Sequence, residues 1–306
     1  MFKKIFSRKN TAKAKSTFPP LPVGFKQTIT NSLGPNAIPL MPESAERLFH
    51  VVMNPDSEAL DFVKAIEGDE GLSSRIIKIA NSVYFDRGSG SESVVEAVAV
   101  IGTKELKNIL GANTFSQLFL NNDPLRDQLW EHNLATAIFS RELAIRRLPG
   151  KENEAFLGGL LHDIGKLLLL DVDPTGYAKI MKQAGNAGTF CPVEEDVYPF
   201  NHCEVGQFIA ELWNFSDELK AVIRMHQAPQ EMIEREPLIL LVKSADLISH
   251  RLQLGLKRGA EGLRGYAMEE APKALQASGF TATQIKEILS EFPLLYEEER
   301  ERLQIP

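Results

Sequence analysis

Gly158-Gly159-Leu160-Leu161-His162-Asp163-Ile164-Gly165-Lys166-Leu167 places an imidazole, a carboxylate and an ammonium inside an otherwise apolar run. Burying such groups costs several kcal/mol unless they are paired or hold a metal. Imidazole nitrogen and carboxylate oxygen are both good ligands for first-row divalent metals. If the run is one helix, neighbouring side chains diverge by about 100°. His162 and Asp163 then reach a common ion only from a groove between helices. A His-Asp pair by itself is a weak signal, because a hydrogen-bonded pair that merely fixes helix packing has the same sequence.

Two more ionisable groups stand in similar company. His132 lies in Trp130-Glu131-His132-Asn133-Leu134-Ala135, and Asp246 lies in the apolar stretch Leu238–Ile248. A charge in the middle of such a helix needs a partner, and shared burial costs less than separate burial. His132, His162, Asp163 and Asp246 are therefore expected to converge as two imidazoles and two carboxylates from separate helices. Lys243, three residues before Asp246, falls on the same helix face.

The rest of the chain reads as helix almost throughout, which predicts an all-α fold. Apolar residues recur at helical spacing in Leu48/Val51/Val52, Leu60/Val63/Ile66, Leu72/Ile76/Ile79/Ala80, Leu106/Ile109/Leu110/Phe115 and Leu134/Ile138/Leu143/Ile145. Asn54-Pro55-Asp56 marks a turn. Ser93 with Glu96 and Thr281 with Gln284 read as capping boxes, the second stapled by Phe280 and Ile285. Thr103 reads as a further cap. Asn81 and Ser82 read as the close of a helix. No hairpin signal, tandem repeat or phosphate-binding glycine loop is present in the sequence.

Composition narrows the class. With 43% hydrophobic and 25% charged residues, the 306-residue chain can build a substantial core. It carries a net charge of −7, yet its first 15 residues hold six basic groups and no acid, so the body is more acidic still. An acidic body argues against a nucleic-acid-binding face. The basic segment has no apolar h-region and no stretch suits a membrane span. Two cysteines, Cys191 and Cys203, give no disulfide framework and fit a cytoplasmic setting. Cys203 reads as a small buried residue, and His50 and His250 as surface or boundary histidines.

Histidine, then histidine-aspartate, then a distant aspartate resembles the ligand order of the HD phosphohydrolase superfamily. The segments Ile38-Pro39-Leu40-Met41-Pro42, Arg75–Phe85, Ala97–Gly102, His202-Cys203-Glu204-Val205-Gly206, Trp213 and His226-Gln227-Ala228-Pro229 are similar to the HDOD family. The resemblance covers residues 25–250 or so. It implies a single-metal set of His132, His162, Asp163 and Asp246, with His202 and His226 as second-site ligands. The metal would be a divalent Fe, Mn, Ni or Zn ion. Lys166 would face a substrate phosphate if the protein is an enzyme, with Arg224 or Lys243 assisting; otherwise it snorkels to water at a helix end. Met225 stands where the two-metal HD-GYP relatives carry a histidine, and no Gly-Tyr-Pro follows. A cyclic-di-GMP phosphodiesterase is therefore not expected.

The resulting expectation is a basic, disordered tail at 1–24 and an HDOD domain at 25–255. That domain divides into a helical subdomain at 25–120 and an HD-like one at 121–255, with a helical extension at 256–306. Its function is expected to be that of a non-enzymatic regulatory module that meets signalling proteins and holds an HD-type metal. The alternative is a metal-dependent phosphohydrolase acting on a nucleotide or phosphoester.

Overall fold

The computed structural model describes residues 18–303 apart from 36, 38–40, 42, 55, 87, 89, 117–122 and 257–259. Most of the basic tail and of the proline-rich segment 38–42 lie outside the described residues, as does Pro55. Helices follow one another with no strand among the described residues. The first six are α1 (Phe25–Leu33), α2 (Glu43–Met53), α3 (Ala59–Glu67), α4 (Glu70–Ala80), α5 (Val94–Ile101) and α6 (Thr103–Ser116). The central group is α7 (Pro124–Arg147), α8 (Glu152–Leu161), α9 (Ile164–Val172), α10 (Pro174–Ala187), α11 (Cys191–Glu195), α12 (His202–Leu212) and α13 (Asp217–Met225). The chain then continues through α14 (Gln230–Ile233), α15 (Pro237–Arg251), α16 (Glu261–Ala277) and α17 (Ala282–Leu303).

The long helix α7 is the axis of the fold. Nearly every residue from Leu129 to Ala144 is buried, because α8, α9, α15 and α17 pack around it. Helix α8 approaches it through Gly159, where a Cβ would lie 2.6 Å from the Thr136 carbonyl oxygen. On another side, Phe292 of α17 stacks on Phe139 with ring centroids 4.8 Å apart. The N-terminal helices dock by aromatics: Phe25 packs edge-on to Phe200 and Phe208, and Phe49 stacks on Phe215 at 4.6 Å. Two residues of the apolar stripes, Leu60 and Ile145, are instead exposed at the margins of their helices.

The local signals resolve in detail. Thr281 and Gln284 form their reciprocal cap. Ser93 caps α5, but the Glu96 carboxylate reaches one residue further back and takes the Glu92 N–H at 2.8 Å. Thr103 is the first residue of α6 rather than its cap; Gly102, at φ +82°, supplies the turn and the first carbonyl. Asn81 ends α4 and holds Ser91 through two hydrogen bonds of 2.6 and 2.9 Å. Asn201 caps α12 in a full capping box with Glu204. Asn201→Ala is expected to lower stability by about 1 kcal/mol, read as a lower midpoint in urea denaturation. An unchanged midpoint would mean that packing alone fixes the start of α12.

Candidate metal centre

The His-Asp pair does not lie within one helix. His162 closes α8 in a helical conformation, and Asp163, at φ −103° and ψ 18°, breaks the chain direction before α9 begins. The pair therefore stands at a joint, where both side chains face the interior. Around it come His132 from the middle of α7, His202 from the start of α12, His226 from the end of α13, and Asp246 from α15. All are buried, none more than 3% exposed.

The distances describe a contiguous cluster. His132 Nε2 is 3.0 Å from Asp246 Oδ1 and 3.9 Å from Asp163 Oδ2. His162 Nε2 is 3.4 Å from Asp163 Oδ2 and 3.7 Å from Asp246 Oδ1. The other oxygen of Asp163 is 3.3 Å from both His202 Nε2 and His226 Nε2. Asp163 thus bridges two groups of donors, His132/His162 on one side and His202/His226 on the other.

The imidazoles are oriented by their far nitrogens. His162 Nδ1 meets the Gly159 carbonyl at 2.7 Å, His226 Nδ1 meets the Ile223 carbonyl at 3.0 Å, and His202 Nδ1 meets Glu194 Oε2 at 2.7 Å. A nitrogen facing such an acceptor carries the proton, which leaves each Nε2 lone pair pointing inward. His202 Nε2 and His226 Nε2 are 3.3 Å apart, and two lone pairs at that distance need a proton or a cation between them. His162 Nε2 and Asp163 Oδ1 are buried without a hydrogen bond. Orphaned acceptors in a buried site are what a metal ion satisfies, so these residues fit one.

Electrostatics agree. Burial alone pushes the Asp163 carboxyl up, but the His162 and Lys166 charges reverse this and hold it well below the ordinary carboxylate range. Burial pushes His162 down, and Asp163 with Asp246 outweighs it to hold the imidazole at about 9. His202 is likewise pushed down by burial and held by Glu194 at about 10. Burial leaves His226 at about 4 and His250 at about 3. Three carboxylates, Asp163, Asp246 and Glu194, face one buried ammonium, Lys166, so two negative charges remain when the imidazoles are neutral. Two protons, on His162 and His202, or one divalent cation cancel them.

Several expectations need correction. Lys166 neither snorkels nor faces a pocket: it is fully buried, its ammonium donates to Asp163 Oδ2 at 2.6 Å, and it sits 3.6 Å from the Phe190 ring centroid. His250 is not a surface residue. It is 7% exposed, stacks on His132 at 4.3 Å and lies 3.3 Å from Asp246. Arg224 pairs with Glu204, and Lys243 donates to the Ala228 carbonyl. Met225 belongs to a small apolar cluster with Val222, Ile233 and Ile239. His50 is exposed and Cys203 is buried, as read from sequence. Glu194, the Tyr177 hydroxyl that donates to it at 2.5 Å, and Gln227, which donates to Asp246, were not foreseen.

The HDOD domain family matches residues 38–229, well over half of the chain. The chain belongs to the HDOD family. Asp246 and His250 lie beyond the matched HDOD segment, yet complete the cluster. A Shewanella amazonensis protein described as a candidate phosphohydrolase is similar at TM-score 0.67 and 22% identity, over 89% of this chain and 97% of that one. A Marinobacter aquaeolei protein described as a candidate signal transduction protein is similar at TM-score 0.67 and 19% identity, over 94% of this chain and 63% of that one. At such identities the likeness is one of fold. An uncharacterized protein of Treponema pallidum is 26% identical over 215 residues, which are 69% of this chain and 42% of that protein. The chain thus spans less than half the length of the curated relative it matches. None of its described helices is long and apolar enough to cross a membrane.

Proposed function

We propose that this HDOD chain is a regulatory signalling module whose buried centre holds one divalent metal and does not turn over phosphoesters. The observation that carries this reading is enclosure. Every donor is buried, and two cavities of the described chain, of about 1010 and 550 Å³, are lined by none of these residues. A catalytic metal keeps an open position toward substrate. Charge balance also favours one ion over two, since a second divalent cation would leave a positive excess of two in the core. In this reading His132, His162, Asp163 and Asp246 hold the metal. His202 and His226 face the shared carboxylate from the other side, and signalling proteins meet the helical exterior of residues 25–255. Helices α16 and α17 brace α15 and α7 respectively.

A phosphohydrolase is the competing reading, and the same residues would hold its ion. A metal there would supply a more acidic bound water and polarise a phosphoryl oxygen. Lys166 would then have to leave Asp163 to meet phosphate. The two readings separate by assay on a nucleotide and phosphoester panel, cyclic-di-GMP included, with Mn²⁺, Fe²⁺ and Ni²⁺ supplied in turn. No turnover above background is expected; turnover by the wild type that vanishes in His162→Ala would overturn the regulatory reading.

Two further outcomes concern the metal. Elemental analysis should find about one equivalent, and chelation should lower Tm by roughly 5 °C or more; a protein indifferent to chelators would argue for a purely hydrogen-bonded core. Because the surrounding carboxylates hold His162 at about 9 and His202 at about 10, a divalent ion loaded beside them is expected to displace protons. Calorimetry in buffers of different ionisation enthalpy is expected to report about two protons released per metal, with apparent affinity rising with pH up to about 10. Loading without proton release would mean that the charges are balanced some other way.

A further inference from the structure

Cys191 and Cys203 are the only cysteines of the chain, and the fold sets them in contact. Their sulfurs are 3.8 Å apart. Cys191 opens α11 and is partly exposed, whereas Cys203, the second residue of α12, is 2% exposed. A disulfide needs its sulfurs at about 2.05 Å, so closing the pair takes a small local movement rather than a refolding of either helix. The Cys203 sulfur also borders the centre, 3.4 Å from His202 Nε2 and 3.9 Å from His226 Nδ1. Any shift of that sulfur is felt where these two imidazoles face Asp163.

We propose that Cys191 and Cys203 form a hydroperoxide-oxidisable dithiol that closes to a reversible disulfide and, in closing, weakens metal binding. The second half rests on the metal-centre reading above; the first does not. The partly exposed Cys191 thiol reacts first. The Cys191 sulfur attacks the distal peroxide oxygen, the O–O bond breaks, and the thiol proton leaves with the other oxygen as water or alcohol. Cys191 is then a sulfenic acid. The Cys203 sulfur attacks Cys191 Sγ, the S–O bond breaks, and the hydroxyl departs with the Cys203 proton as water. One peroxide is reduced by two electrons and two thiols are oxidised by two. Cys203, shielded from solvent but touching Cys191, is placed to resolve the sulfenic acid before it oxidises further.

The test uses the full chain, reduced, freed of reductant and treated with near-stoichiometric hydrogen peroxide. Intact mass should fall by two hydrogens, both titratable thiols should disappear together, and dithiothreitol should restore them. In Cys203→Ser, Cys191 should accumulate as a sulfenic acid trapped by dimedone. Sulfinic acid on Cys191 with the Cys203 thiol intact, disulfides between chains, or two thiols that survive the oxidant would each overturn the dithiol assignment. So would zinc-dependent protection of both thiols with no disulfide formed, which would make them thiolate ligands instead. Metal content should fall at least twofold on oxidation and recover on reduction. Unchanged content through the cycle would overturn the link to the centre. Disulfide closure in a protein that binds no metal would isolate the failure to the metal reading.

Discussion

Asp163→Ala is expected to cost about 3–5 kcal/mol of stability and to abolish metal binding. One carboxylate serves the whole cluster: it faces His132 and His162 with one oxygen and His202 and His226 with the other, and it is the hydrogen-bonded counter-charge of Lys166. Its removal leaves a fully buried ammonium with no other hydrogen-bond acceptor among the described residues. Against a total stability of about 5–15 kcal/mol, that is a large fraction. Lys166→Met in the same chain should recover much of the loss, because it removes the stranded charge, but should not restore the metal. Urea denaturation of the three proteins, with elemental analysis, checks both statements. A single variant within about 1 kcal/mol of wild type, or one that keeps its metal, would show that the cluster does not depend on this carboxylate.

Gly165→Ala should be of similar severity for a different reason. A Cβ at this position would lie 2.0 Å from the His202 carbonyl oxygen, 2.8 Å from its carbon and 3.0 Å from the Gly206 nitrogen. These are backbone atoms of α12 and cannot rotate away, so α9 and α12 must separate. The separation displaces His202 from Asp163. Overpacking commonly costs 1–3 kcal/mol, and a clash with backbone places this substitution at about 3 kcal/mol or beyond. Gly265→Ala provides the contrast. Nothing lies within 4 Å of a Cβ there, and an open helical glycine gains about 0.5–1 kcal/mol on becoming alanine. Opposite shifts in the denaturation midpoint are expected, and equal effects at the two positions would refute the close-approach argument.

The helical class of the fold was legible because its apolar residues recur with a helical period over nearly the whole chain. His132, His162, Asp163 and Asp246 were legible because each interrupts an apolar stretch of sequence that has to be buried. Glu194 was not, since Glu194-Glu195-Asp196 reads as a solvated charge run, and only the tertiary fold turns one of the three inward onto His202. His250 carried a usable signal, standing four residues after Asp246 and therefore on its face, but Ser249-His250-Arg251 has the look of a helix leaving the core. The break between α8 and α9 was hidden as well. Nothing in Leu161-His162-Asp163-Ile164 stops a helix, and α9 then approaches α12 closely at Gly165. Met225, next to His226 in sequence and read as standing where two-metal relatives carry a histidine, packs in an apolar cluster with Val222, Ile233 and Ile239.

The enclosure of the cluster has a kinetic side. An ion coordinated at an open rim exchanges at a rate set by its bonds to ligands. Under the proposed reading, an ion walled in by α7, α8, α9, α12, α13 and α15 would enter or leave only when those helices part, and its residence time would measure how often the core opens. Substitutions on remote helices such as α17, which leave every candidate ligand in place, should then accelerate exchange in proportion to how far they ease that opening, and a metal held there would be a clock for the breathing of the fold.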